Sequence, residues 1–242
     1  MKNFQKQKEI LFIIPARSGS KGVKNKNLKL CAGESLLRRA VKIAIDMDFD
    51  SRVIVSTDSE NYLNHVKDLK CSKNFLRTSY LSGDSVGDIE VITQSLHSAE
   101  VEYNENYMCV AMLQPTSPLR QKKHVADSIN AVIKDSWDAS FTANKVDLKY
   151  HPLKSLTISK NGSSNYYLDE GSNIIGRQML SQTYIRNGAC YSITPECLTI
   201  VRSFIGLHSK IIETEPMISI DSLDEIRLCE EILYKRDQNK NL

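Results

Sequence analysis

Short apolar runs alternate along this chain with segments whose apolar residues recur every third or fourth position. Ile10-Leu11-Phe12-Ile13-Ile14 is unbroken and closed by Pro15, which predicts a strand buried on both faces. Ser35 then precedes Leu36, Leu37, Ala40, Val41, Ala44 and Ile45, a spacing that gathers one apolar side of a helix behind an N-cap. The unit recurs, as Val53-Ile54-Val55 leads through Ser56-Thr57-Asp58 into Leu63, Val66 and Leu69. Ile89, Ile92 and Leu96 mark a helix over 85–99, Met108–Leu113 another buried strand, and Val125, Ile129 and Val132 a further helix. Strands that alternate with helices need right-handed crossovers, so the predicted fold is α/β with a doubly wound, mostly parallel sheet.

The regularity ends near residue 140. Residues 144–187 are rich in Lys, His, Pro, Gly, Ser and Asn with few apolar periods, which marks an insertion, a lid or a subunit contact rather than sheet core. Ala189–Ile193 and Met217–Ile220 read as returning strands. Ser222-Leu223-Asp224-Glu225 has capping-box spacing ahead of Ile226, Cys229 and Leu233 and predicts a closing helix. One domain over 9–236, with 144–187 inserted in it, accounts for the pattern.

Composition mainly excludes. The chain has 242 residues, 41% apolar and 25% charged, enough for a substantial core and unlike a disordered or collagen-like sequence. A net charge of +3 lacks the basic excess of a nucleic-acid binder. Six cysteines without a C-x-x-C pair read as reduced, mostly buried thiols rather than a zinc or dithiol site. Lys2, Lys6 and Lys8 precede an apolar run shorter than the ~7–15 residues of a signal peptide. No stretch reaches the ~18 apolar residues of a membrane span, so a cytoplasmic chain without a membrane partner is expected. Asn161-Gly162-Ser163 fits a glycosylation sequon and equally a turn, the reading preferred here.

In an open parallel sheet, ligands sit outside the carboxyl ends of the strands, where helix N-termini expose unpaired N–H groups. Polar residues collect at those ends. The first loop, Pro15-Ala16-Arg17-Ser18-Gly19-Ser20-Lys21-Gly22, offers glycines for a tight turn, serine hydroxyls, and a guanidinium and an ammonium for phosphate oxygens. It matches neither G-x-G-x-x-G nor G-x-x-x-x-G-K-[ST]. Lys24 and Lys26 follow and favour a polyphosphate, whereas the plain alternative is a solvated turn with incidental charge. Asp221 could simply favour a helix start, or could hold Mg²⁺ with one carboxylate and substrate phosphates. Asp58 and Asp84 read as structural caps before they read as ligands.

These residues carry a resemblance. Ile14-Pro15-Ala16-Arg17-Ser18-Gly19-Ser20-Lys21-Gly22, Lys26-Asn27, Val55-Ser56-Thr57-Asp58, Gln114-Pro115-Thr116-Ser117-Pro118-Leu119-Arg120, Arg177-Gln178, Asn187-Gly188-Ala189 and Ile220-Asp221 resemble, in order, the acylneuraminate cytidylyltransferases. The resemblance implies a nucleotidyltransferase-type sheet and transfer of CMP from CTP to a nine-carbon 2-keto acid sugar, with pyrophosphate released and Mg²⁺ required. It places Arg17, Lys21 and Asp221 in the catalytic machinery, with Asp221 on the metal. Lys26, Asn27 and Arg77 fall at nucleotide contacts beside Ser18, Gly19 and Ser20, and Gln114 falls at a sugar contact beside Thr116 and Ser117. Segment 144–187 corresponds to a homodimerisation insertion that brings Lys154, Arg177 and Gln178 toward the neighbouring subunit's sugar.

The resemblance also implies Asp-x-Asp where this chain has Ser219-Ile220-Asp221. Serine offers a neutral oxygen and cannot neutralise a cation as a carboxylate does. Two alternatives follow: a nucleotide-binding protein of the same fold with impaired catalysis, and a cytidylyltransferase for the eight-carbon 3-deoxy-manno-octulosonate. Against the second, Lys21-Gly22 stands where an Arg-Leu-Pro ending is expected.

Overall fold

The computed structural model describes residues 6–19, 22–69, 71, 75–77, 81, 83 and 86–240. Its strands are β1 (Lys6–Pro15), β2 (Leu30–Cys31), β3 (Glu34–Ser35), β4 (Ser51–Thr57), β5 (Phe75–Leu76), β6 (Glu105–Met112), β7 (Ala139–Lys145), β8 (Leu156–Ile158), β9 (Ser164–Tyr166), β10 (Tyr184–Ile193) and β11 (Ser209–Thr214). Its helices are α1 (Leu36–Ile45), α2 (Glu60–His65), α3 (Asp88–Tyr103), α4 (Lys122–Ile133) and α5 (Leu223–Lys240). Seven strands form the main sheet among the described residues, in the order β11-β7-β10-β6-β1-β4-β5.

β1 is central and buried on both faces, as its unbroken apolar run requires. Ile10, Phe12 and Ile14 face one cluster with Leu37 and Val41 of α1 and with Val125 and Ile129 of α4. Leu11 and Ile13 face the other, with Ile92 and Leu96 of α3. Truncating such a side chain to alanine costs about 2–5 kcal/mol. A third cluster joins Ile226 and Cys229 of α5 to Cys31, Leu119, Met217 and Ile220. Ser35 caps α1, its Oγ accepting from the Arg38 N–H at 3.3 Å.

The sheet departs from the expected pattern in two places. β10 runs antiparallel to both neighbours, β6 and β7; the connection into it, residues 146–183, holds only short 3₁₀ turns and the β8–β9 hairpin, so no helical crossover returns the chain for a parallel pairing. Met217–Ile220 is not a strand: the returning strand is β11, paired parallel with β7. The 217–220 backbone bonds elsewhere. The Asn144 side chain brackets Met217, Nδ2 donating to its carbonyl at 2.9 Å and Oδ1 accepting from its N–H at 3.1 Å, and the Ile220 N–H donates to the Thr116 carbonyl at 2.8 Å. Its apolar side chains are buried without joining a ladder. α2 is also shorter than the periodicity suggests, and Val66 and Leu69 lie in the turns after it.

The capping box forms. The Ser222 hydroxyl accepts from the Glu225 N–H at 3.3 Å, and the Glu225 carboxylate accepts from the N–H groups of Asp221 and Ser222, each at 2.7 Å. Those bonds, the one from Asp221 foremost, hold the Glu225 carboxyl below its usual range. Asn161-Gly162-Ser163 is a turn, with Gly162 at φ +85° and the Ser163 N–H bonded to Asn161 Oδ1 at 3.1 Å. The six cysteines are unpaired, and all but Cys71 are buried. Among the described residues, no helix is long and apolar enough to cross a membrane.

Candidate active site

The parallel strands β1, β4 and β6 end at one edge of the sheet, and there the first loop is built into its surroundings. Asp58, just past β4, accepts from the Ser18 N–H at 2.8 Å and from Ser18 Oγ at 3.1 Å. It is a loop anchor, not the helix cap its position suggested. The buried Asn27 side chain donates to the Arg17 carbonyl at 3.1 Å, folding the end of the loop onto its start. Ser20 and Lys21 lie outside the described residues.

The loop also meets the far end of the chain. Lys26 Nζ lies 2.8 Å from Asp221 Oδ1, and a Cβ built on Gly22 would stand 2.7 Å from the Asp221 carbonyl oxygen. Only glycine allows that approach without a backbone shift. The basic loop and the late carboxylate therefore share one cleft of about 390 Å³, lined by Arg17, Gly22, Lys26, Asn27, Arg77, Gln114, Thr116 and Asp221 among others.

Arg77 is buried in the cleft wall, its Nε on Ser56 Oγ at 3.0 Å and its Nη2 on the Ser56 carbonyl at 2.8 Å. Burial pulls its pKa below the ordinary arginine value, and the charges of Asp58 and Asp88 oppose that shift. A guanidinium remains charged there.

The opposite wall follows β6. Gln114 Nε2 donates to Asp88 Oδ2 at 3.1 Å. Gly188, at φ +72°, leaves room for the Gln114 amide: a Cβ there would stand 2.2 Å from its Oε1 and 2.9 Å from Ser117 Oγ. Ser117 is buried and donates to the Asn187 carbonyl at 2.7 Å, so its hydroxyl holds the wall together and does not line the cleft. The buried Arg120 guanidinium binds the carbonyls of Gln114, Gly188 and Ala189, fixing the turn after β6 against β10.

The insertion residues are elsewhere within one chain. Lys154 and Arg177 line a separate cleft of about 330 Å³ with Leu153, Tyr166 and Ile175, and Gln178 folds back against Gly176. Asp88, at the start of α3, is the cleft residue that the sequence reading passed over. Acidic residues are ordinary in the first turn of a helix, and no spacing shows that this one faces Gln114.

A metal would find a spare donor set. Asp221 is an exposed carboxylate at the cleft, Ser219 is exposed beside it, and among the described residues no group of three His, Cys, Asp or Glu gathers. Mg²⁺ is commonly held by one or two carboxylates, substrate phosphates and water, so one carboxylate beside a triphosphate site fits it.

Residues 11–192 match the family described as Cytidylyltransferase. This chain belongs to the cytidylyltransferase family. Relatives within it include the N-acylneuraminate cytidylyltransferase of Escherichia coli O18:K1:H7, 28% identical over 238 residues, which are 96% of this chain and 54% of that protein. The enzyme of the same name from Streptococcus agalactiae is 30% identical over 86% of this chain and 49% of its own length. The chain thus spans about half the length of these two relatives. It covers 96% of the pseudaminic acid cytidylyltransferase of Campylobacter jejuni at 24% identity over 93% of itself. Among solved structures, a CMP:2-keto-3-deoxy-manno-octonic acid synthetase complexed with CTP shares the fold with a TM-score of 0.68 at 13% identity, covering 94% of this chain and 99% of that one.

Proposed function

We propose that this cytidylyltransferase-family chain transfers CMP from CTP to the 2-hydroxyl of a nine-carbon 2-keto acid sugar and releases pyrophosphate. One observation carries the reading: the loop holding Arg17, Gly22 and Lys26 closes on Asp221, with Lys26 on its carboxylate and Gly22 against its carbonyl. The residues named by the resemblance for triphosphate and metal thus bound one cleft. The names of the relatives supply the acceptor class.

The acceptor hydroxyl attacks the α-phosphorus in line with departing pyrophosphate, so catalysis rests on holding two anions together and stabilising charge on the phosphoryl oxygens. Arg17 and Lys26, with Lys21, bind the triphosphate and orient it toward the β6 wall. Arg77 and Asn27 bound the nucleotide side, and Gln114 and Thr116 the acceptor side. Mg²⁺ would be held by Asp221 and would neutralise phosphate charge. The insertion would meet a second copy, presenting Lys154, Arg177 and Gln178 to the partner's acceptor; Ile158 and Ile175, 80% and 94% exposed in the single chain, support such a covered face.

Pyrophosphate release, measured with each of the four nucleoside triphosphates against neuraminic, legionaminic and pseudaminic acids and the eight-carbon acid, tests the assignment. Turnover with CTP and a nine-carbon acid is expected. The exposed Ser219 beside Asp221 favours a second reading, nucleotide binding with impaired turnover, which prevails if CTP binds and no pyrophosphate appears at any Mg²⁺ or Mn²⁺ concentration.

A further inference from the structure

The two walls of the cleft differ in charge. Arg17 and Lys26 stand on the side of β1, and Asp88 and Gln114 stand on the side of β6. The two carboxylates are also differently placed. Asp221 is ion-paired with Lys26, whereas Asp88, among the described residues, accepts one hydrogen bond, from the neutral amide of Gln114 at 3.1 Å. An ionised carboxylate has about four acceptor positions, and the exposed Asp88 uses one of them there.

Gln114 is oriented as a result. Its Nε2 is on Asp88, and its Oε1 lies where a side chain at Gly188 would stand, 2.2 Å from an ideal Cβ. Turning the amide over would set its carbonyl oxygen against the Asp88 carboxylate, two acceptors facing each other. The wall therefore presents a fixed acceptor at Asp88 and a fixed amide at Gln114.

A phosphate or a sugar carboxylate beside Asp88 would be repelled, while a hydroxyl or an acylamino N–H would be bound. The cytosine amine is also a donor. The hydrogen-bonded neighbours of Asp88, however, run from Gln114 after β6 toward Gly188 in β10, away from the basic loop on β1 that would hold the nucleotide tail.

We propose that Asp88, with the Gln114 amide it orients, determines acceptor specificity by reading a hydrogen-bond donor, a hydroxyl or an acylamino N–H, on the sugar. This rests on the cytidylyl-transfer reading above. A polar group built to meet a substrate donor discriminates strongly against an analogue lacking it, because the group is then left unpaired.

The test uses the full chain and the variants Asp88→Asn, Asp88→Ala and Gln114→Ala, with melting curves to confirm folding. D88N keeps an oxygen for Gln114 but offers an NH₂ group in place of the second acceptor; D88A releases Gln114 as well. CTP affinity is measured by calorimetry, and KM and kcat are measured for nine-carbon acids that differ by one hydroxyl or acylamino group. In D88N, CTP affinity should stay within about threefold, acceptor KM should rise roughly 10–100-fold with a smaller change in kcat, and the preference for the donor-bearing acceptor should fall at least ~10-fold. In D88A, kcat should fall further, and adding Gln114→Ala should cost little more, since the two act as a unit. Acceptor KM within twofold of the parent in both Asp88 variants overturns the proposal. So does a loss of CTP-over-UTP preference with acceptor KM unmoved, which would give Asp88 to the base. An inactive parent chain would instead sink the transferase reading itself, and this proposal with it.

Discussion

The ammonium of Lys26 sits 2.8 Å from Oδ1 of Asp221, a residue 195 positions further along the chain. Asp221 is mostly exposed, so the pair adds little to stability. Its importance is placement: a cation for phosphate and a carboxylate for a metal face one ligand-sized space.

Asp221→Asn should lower kcat by ~100-fold or more, by analogy with loss of a single transition-state charge contact, and leave the melting temperature nearly unchanged. Ser219→Asp should move the other way, lowering the Mg²⁺ concentration for half-maximal turnover roughly threefold or more by supplying a second carboxylate. A magnesium titration of pyrophosphate release checks both.

Asp58→Ala removes the acceptor of two hydrogen bonds from Ser18 and frees the start of the basic loop. Because Asp58 contacts the loop and does not line the cleft, CTP affinity should weaken by ~10-fold with a smaller loss in kcat. Calorimetric titration against steady-state rates separates the two effects.

Gly188→Ala forces a side chain into positive φ at a cost of ~1–2 kcal/mol and drives it into Gln114 and Ser117. Melting should fall by ~4 °C or more at ~2–4 °C per kcal/mol, and acceptor KM should rise because Gln114 is displaced. A variant with parental melting and parental acceptor KM would show that the wall tolerates a Cβ.

His124→Gln should flatten the acid side of the stability profile. His124 is buried at the start of α4; its Nδ1 accepts from the Gln121 N–H at 3.3 Å and its Nε2 faces Glu215 at 2.9 Å. Burial lowers its pKa, with Glu215 opposing the shift. The unfolded chain therefore takes up a proton near pH ~6.5 before the folded chain does. Stability present above that pH is lost as pH falls through the depressed folded value. Urea unfolding between pH 7.5 and 5.5 should show a smaller loss in the variant.

Much of this architecture could be read from residue order because β1, β4 and β6 are fully buried and their side chains must be apolar. The Gly-rich loop was legible for a similar reason: glycines beside basic residues have few structural uses. What periodicity could not supply was direction and partnership. Nothing in Tyr184–Ile193 encodes that it runs against β6. The apolar Met217–Ile220 looks the same whether its backbone bonds to a strand or to the Asn144 side chain. Asp58 and Asp88 each precede a helix, where acids are common, and only coordinates separate a loop anchor from a cleft wall.

The antiparallel course of β10 has a geometric consequence. It enters the sheet at the same rim where β6 and β7 leave it, so whatever links β7 to β10 must hang beside the cleft mouth whatever its length or content. Remodelling of that overhang can alter the reach and grip of the molecule at its rim while every rung of the central ladder stays in register.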